Sequence, residues 1–380
     1  METLHSPFGR FNLDRYPVRA KDSLRAWDAA DEYVLNHLFE THSLETHPSP
    51  LIINDQFGAL SVALAEFQPQ MQSDSYLAFQ GLEHNLTINQ RQHAQVTQLT
   101  SLQPPQRDFD LVIIKIPKAL AMLEDQLHRL RPFLNETTHI IGAAMAKHIH
   151  SSTLKLFESI IGPTSTSLAK KKARLVFPQF ASSLRPRKNP FPKVWPLENT
   201  KINLHNHANV FSQSSLDIGS RFLLEHLPSG TQAQTIVDMG CGNGVIGLMA
   251  AIKNPQAKLI FVDESYMAIE SAKVNFQNAL PNRQASFFTT DCLQGIKESS
   301  ADLILNNPPF HQQHTVGDHI AWQMFCESKK CLKFKGELWV IGNRHLNYHV
   351  KLKRLFGNCQ VIANNKKFVI LKAVKSTDSP

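Results

Sequence analysis

Apolar positions in the second half of the chain come in short runs, each closed by Gly, Asp, Asn or Pro and separated by longer stretches with helical spacing. The runs are Ile236-Val-Asp-Met-Gly-Cys-Gly-Asn-Gly-Val245, Val262-Asp-Glu-Ser-Tyr266, Asp302-Leu-Ile-Leu-Asn-Asn-Pro-Pro-Phe310 and Val340-Ile-Gly342. A further strand is expected from Ala285 to Thr289, and a helix beginning near Val245. This alternation predicts an α/β fold built on a mostly parallel, doubly wound sheet.

The first half repeats the pattern in worn form. Leu51-Ile-Ile-Asn-Asp-Gln-Phe-Gly58 stands where the first run belongs, with Gly58 facing Gly242 at an offset of 184. Ser75-Tyr76 and Asn85 match Ser265-Tyr266 and Asn275 at 190. Asp110 to Pro117 matches Asp302 to Pro309 at 192, and Ile141-Gly142 matches Ile341-Gly342 at 200. Landmarks that agree in order argue for duplication. On this alignment Gly240 and Gly244 become Gln56 and Leu60, Asp263 becomes Ser73, and Asn-Pro-Pro-Phe becomes Lys115-Ile-Pro-Lys118. Apolar positions survive and polar ones do not, so the first copy should fold like the second without its ligand site.

Between the copies, Ser159 to Leu197 has no acidic residue but carries Lys170, Lys171, Lys172, Arg174, Arg185, Arg187, Lys188 and Lys193. Pro178, Pro186, Pro190, Pro192 and Pro196 argue for an extended connector. The expected domains are therefore 1–178, a basic linker 179–200, and 201–380. The whole chain has 380 residues and a net charge of +8, a balance that suits a phosphate-backbone partner. Its five Cys contain no CxxC pair, so no disulfide scaffold or zinc site is expected. His205, His207, His311 and His314 lack companion ligands at metal spacing and read as polar surface or substrate contacts; no metal is expected. No signal peptide or membrane run is seen, so a soluble cytoplasmic protein is the expectation.

The chemistry lies in three places. Asp238-Met-Gly-Cys-Gly-Asn-Gly244 follows a strand and opens a helix, and its glycines bring backbone N–H groups close to a ligand. Its G-x-G-x-G spacing differs from the G-x-G-x-x-G of dinucleotide sites. With Asp238 in front of Gly240, Cys241, Gly242, Asn243 and Gly244, the loop suits a ligand with a cationic amino-acid tail such as S-adenosylmethionine. Asp263, at the next strand end, can accept from ribose hydroxyls, or serve as a helix cap before Ser265. Asp291 could accept from an adenine amine, with Cys292 only packing. Asn307-Pro-Pro-Phe310 ends a buried strand. An amine conjugated to a ring is a poor nucleophile. If the Asn307 oxygen and the Pro308 carbonyl each accept one of its N–H groups, its lone pair is turned outward, while Pro309 stiffens the bend and Phe310 stacks on the base.

At these residues the chain resembles the class I S-adenosylmethionine-dependent methyltransferases that act on amines. More narrowly it resembles the ribosomal RNA guanine-N2 methyltransferase family, in its large-subunit (23S) branch, close kin of the small-subunit enzyme C. The resemblance spans Asn203 to Ser212, Leu216-Asp-Ile-Gly219, Ile236 to Gly247, Asn307 to His314, Asn343-Arg-His345 and Phe368 to Lys372, with Ala26 to Tyr33, Phe57 to Leu60 and Lys115 to Lys118 in the first half. It implies two tandem doubly wound Rossmann-like methyltransferase domains, the first degenerate and serving RNA recognition, and methyl transfer to N2 of one guanosine in 23S rRNA. It also implies that Asp238, Gly240, Gly242, Asp263 and Asp291 hold the cofactor, that Asn307 to Phe310 hold the guanine, and that the stretch from Val210 through Phe211 to Asp217 lies over the cofactor. A monomer is expected, since the duplication supplies an internal pseudo-dimer. Rival expectations are a protein glutamine-amide N-methyltransferase and a non-catalytic RNA-binding scaffold.

Overall fold

The computed structural model describes residues 2–19, 24–92, 95–211, 215–230, 232–309 and 314–376, with 314–318 by backbone alone. The chain divides into two compact units, Met1–Phe191 and Pro192–Pro380. Each holds one seven-stranded sheet, and the two sheets have the same order. In the second unit the order across the sheet is Ala285–Thr289, Lys258–Asp263, Thr235–Met239, Ala301–Asn306, Leu332–Asn343, Phe368–Val374, Gln360–Asn364. The first five strands run parallel, Phe368–Val374 runs antiparallel to them, and Gln360–Asn364, antiparallel to that strand, resumes the original sense. In the first unit it is Thr97–Thr100, Gln70–Ser73, Pro50–Ile53, Leu111–Lys115, His139–Met145, Ala173–Pro178, Thr164–Thr166, with the same senses. The central strands are apolar on both faces, as a sheet covered by helices on each side requires: Leu51, Ile52, Ile53, Val112 and Ile113 in one unit, Val237, Ile304 and Leu305 in the other are fully buried.

The strand register aligns the two units and corrects the sequence matching at two places. Ile236 pairs with Leu303 as Pro50 pairs with Leu111. The first strands are therefore offset by 186, and Gly58 stands where Gly244 does, not Gly242. Both glycines cap a helix at φ 76°, and a Cβ would come within 2.9 Å of the Cα of Leu82 or Ala272 in the next helix. Asn54 takes the place of Gly240. Its N–H donates to Gln72 at 3.0 Å as that of Gly240 does to Val262 at 2.9 Å, and both residues keep positive φ. Leu111 pairs with His139 as Leu303 pairs with Glu337, so the fifth strands are offset by 198, not 200. The Ile-Gly identity is a coincidence of composition two residues out of register.

The stretch expected as a linker is divided between the units. Arg131 donates to the carbonyls of Ile160, Ala181 and Leu184, and Asn189 to Asp125, which fixes residues up to Phe191 on the first unit. Lys193–Pro196 then pairs antiparallel with Asn203–Asn206 in the second. A two-stranded ribbon has free edges, so its prolines break no necessary hydrogen bond, while Trp195 and Leu204 are buried beneath it. The first unit opens on a matching hairpin, Glu2–Ser6 with Gly9–Leu13.

Asn85 and Asn275 perform the same task in the two copies. Asn275 accepts from the His205 N–H and donates to the carbonyls of His205 and Asn243, joining hairpin, helix and glycine loop. Asn85 accepts from the Asp14 N–H and donates to the carbonyls of Asp14 and Phe57. Both side chains are fully buried. Replacing either by Ala leaves buried backbone groups unpaired and should destabilise its own unit by about 2–4 kcal/mol. Amide hydrogen exchange should localise the lost protection to the hairpin end at Asp14 in one variant and at His205 in the other.

Candidate active site

The strands Thr235–Met239 and Ala301–Asn306 lie side by side, and the order of the sheet reverses between them. At such a switch point successive loops leave in opposite directions and open a crevice beyond the strand ends. The glycine loop and the Asn307 corner both emerge there.

Asp238 is 1% exposed, and its carboxylate accepts the Gly247 N–H at 2.7 Å. A Cβ on Gly247 would stand 2.9 Å from that carboxylate and 2.3 Å from the Phe261 ring, so only glycine lets the helix start this close. Burial pushes the Asp238 carboxyl up to about 8; the Gly247 N–H opposes this and Asp263 adds to it. Asp263 organises the loop: its two oxygens accept the N–H groups of Gly242 at 2.9 Å and Ser265 at 3.0 Å. The helix cap proper is Ser265, which accepts from Ala268. A Cβ on Gly242 would meet nothing within 4 Å, so open space lies beyond the loop at this point.

Other expected cofactor residues take structural tasks in part. Asn243 is buried, donates to Asn206 and accepts from Val245. Cys241 is buried, and burial pushes its thiol well up, so it is no nucleophile. Asp291 is half-buried just beyond the strand Ala285–Thr289; burial and then the Asp291 charge push the neighbouring Cys292 thiol far up. Asp217 caps the helix Ile218–Glu225 by accepting the Ser220 N–H, and Phe211 is 61% exposed.

Asn307 is held by one end. Its Nδ2 donates to Ser220 Oγ at 3.0 Å, and its Oδ1 is buried with no partner among the described residues. Pro308 is buried and Pro309 exposed. Phe310, His311 and the side chain of His314 lie outside the described residues, as does Ser212. His205 and His207 are held through backbone N–H groups by Asn275 and Ser271. Among the described residues no three ligating side chains gather as a metal site would need, and no helix is long and apolar enough to cross a membrane. Sequence reasoning does not single out Ser220, which is 87 positions from Asn307, nor the close approach at Gly247.

The first unit shows what happens when this site is filled. By register Asp238, Asp263 and Asn307 correspond to Ile52, Ser73 and Lys115. The Thr290 N–H bonds to Asp263 as the Ser101 N–H does to Ser73, which puts Leu102 in the place of Asp291. Ser61, standing for Gly247, donates twice to Asp55, whose carboxyl burial and then Asp31 raise to about 6. Asp28 and Asp31, at the cap and third position of the helix Ala29–Glu40, stand for Asp217 and Ser220. Lys115 donates to both, at 3.0 Å for Asp28. Burial works against its ammonium, but the two carboxylates outweigh it and raise its pKa. Burial raises Asp31 against the pull of Lys115. An ion pair thus occupies the space of the amide and its hydroxyl support. Lys115→Met should destabilise the first unit by about 3–5 kcal/mol by stranding a buried acid, and Asp31→Leu in the same chain should restore most of that loss in urea unfolding.

Comparison with known proteins agrees with this division. Residues 1–182 match the RLMG N-terminal domain family and residues 201–372 the Methyltransferase small domain family. A Yersinia enterocolitica protein named ribosomal RNA large subunit methyltransferase G is 48% identical over 372 residues, 97% of this chain and 93% of the relative. Its namesake in Aeromonas salmonicida is 48% identical over 377 residues, 99% of each chain. A T. Thermophilus 16S rRNA N2 methyltransferase (RsmC), solved with AdoMet and guanosine, has the same fold at a TM-score of 0.76 and 19% identity, covering 98% of this chain and 97% of that one. With near-full coverage at this identity, the chain belongs to the ribosomal RNA large subunit methyltransferase G family.

Proposed function

We propose that this chain transfers a methyl group from S-adenosylmethionine to the exocyclic N2 amine of a guanosine in 23S rRNA. The observation that carries the proposal is the Asn307 amide, with its N–H bound to Ser220 and its oxygen buried without a partner among the described residues, beside a glycine loop that borders open space. The names of the relatives, and the guanosine with which the structural neighbour was solved, support an RNA base over a glutamine side chain.

The residues present fit the cofactor. Asp238 is a buried carboxyl that an ammonium group would hold ionised, Asp263 stands at the strand end for ribose hydroxyls, and Asp291 stands beyond it for an adenine amine. The loop borders open space at Gly242, while the N–H groups of Gly240, Cys241, Gly242 and Gly244 are bonded within the fold and hold its shape. Bound there, S-adenosylmethionine supplies an electrophilic methyl group. The work of the protein is alignment. Asn307 Oδ1 and the Pro308 carbonyl accept the two N–H groups of the guanine amine and draw its lone pair out of conjugation with the ring. Two prolines keep the corner from relaxing. No base is required before attack, and the proton leaves for solvent afterwards.

RNA is positioned by the basic surface of the first unit in this reading. Lys170 and Lys171 rest on Glu40 at 3.6 Å and Glu32 at 2.7 Å, while Lys172 is exposed beside them. Phosphates would compete with those carboxylates for the two lysines.

Asn307→Ala should lower methyl incorporation into 23S rRNA by about 100- to 1000-fold and leave cofactor affinity within about threefold; equal loss of both in calorimetry and methylation assays would make the corner structural. The Asp238 carboxyl sets a pH dependence. Its folded pKa is raised to about 8, so the stability it contributes to the free protein is full below the ordinary carboxylate range and is lost as the pH rises through about 8. An ammonium ligand needs the ionised form. Cofactor affinity should therefore rise as the pH rises toward 8 and then level off, with close to one proton released per binding event near pH 7. Calorimetry in buffers of different ionisation enthalpy measures this, and Asp238→Asn should abolish the proton release.

A further inference from the structure

Asn343 ends the strand Leu332–Asn343, next to the strand that carries Asn307. It is 8% exposed, and its Oδ1 is buried with no partner among the described residues. An amide oxygen left so costs about 1–3 kcal/mol, which a folded chain tolerates where a ligand will complete it.

The register fixes which way it faces. Asn306 pairs with Val340, so Asn307 continues opposite Ile341, and Asn343 lies two residues farther along on the same face. That face carries the start of the helix Ile218–Glu225. Gly219 there packs within 3.3 Å of Phe368 and 3.7 Å of Ile341, measured from an ideal Cβ, and Phe368 pairs with Asn343 across the sheet. Ser220 of the same turn holds Asn307. Strand spacing and rise put the Cα atoms of the two asparagines about 8 Å apart, a span that the edge of one purine fills between two amide side chains. In the first unit the register puts Met145 at this position, opposite Ala173 as Asn343 is opposite Phe368. The polar group is thus present only in the unit that keeps the other site residues.

We propose that Asn343 is a specificity residue whose Oδ1 accepts the N1–H of the target guanine while Asn307 and Pro308 hold its N2 amine. The assignment rests on the guanine-N2 reaction proposed above. A purine with the N2 amine but no N1–H would present an acceptor to an acceptor there and be refused. 2-Aminopurine is such a base.

The test uses the full chain and an RNA fragment whose methylated guanosine has been located by mass spectrometry, made with guanine or 2-aminopurine at that position. The unchanged protein should prefer guanine by about ten- to hundredfold in kcat/KM. Asn343→Met, which places the residue of the first unit in its counterpart, should bring that ratio near one while cofactor affinity and the Tm hold. Asn343→Asp keeps an acceptor and should keep the preference. If Asn343→Met slows both bases equally and leaves the ratio intact, or if Asn343→Asp loses the preference as Met does, the assignment is overturned. If the unchanged protein methylates no guanosine of 23S rRNA, the reaction itself is wrong and the assignment falls with it.

Discussion

An amide side chain has two ends that differ only in whether they donate or accept, and a site that needs an acceptor must stop the group from turning over. Here one hydroxyl does so: Ser220 takes the Asn307 N–H, which leaves the oxygen without a partner among the described residues. Much of the second unit supports that bond. Asp217 starts the helix that carries Ser220, and Phe368 and Ile341 pack against its first turn. The strand order reverses beside the strand that ends at Asn306, so the corner opens next to the glycine loop. Reactivity in such a site comes from groups aligned before the substrate arrives, not from groups that ionise during the reaction.

The side proposed for the cofactor follows a different logic. Its acids do not wait exposed; they are built into the fold. Asp238 is tied to the helix start and Asp263 to the loop and the following turn. The same oxygens that would meet a ligand therefore hold the shape of its cradle, and ligand affinity and local stability are coupled through them.

Much of this is legible in the chain itself. Strand positions, the helix start at Val245 and the duplication all follow from apolar runs and their terminators, because a doubly wound sheet needs buried strands and turns at fixed places. Asp238, Gly242, Asp263 and Asn307 stand out by order and spacing. The mismatches have one cause. Residue identity pairs Gly58 with Gly242, and Ile141-Gly142 with Ile341-Gly342, whereas equivalence in a sheet is set by pairing register, which leaves no local mark. Ser220 is unreadable for a related reason: its partner is far along the chain, and a serine three residues after a helix cap looks like any other. The stretch 179–200 looks like a connector because its prolines forbid helix, yet arginine and asparagine side chains can anchor an extended strand as firmly as a ladder does.

The Lys115 ion pair has a bearing on history. Starting from the first unit, recovering an amide at that position means exchanging Lys115 and Asp31 together, since losing the lysine alone strands a buried acid and losing Asp31 alone leaves the ammonium only the half-exposed Asp28. Each intermediate on the way back is less stable than either endpoint. A duplicated site that decays to apolar filler can be rebuilt one step at a time, but one sealed by opposite charges is closed to gradual return. The difference between the halves of this chain is in that sense a ratchet.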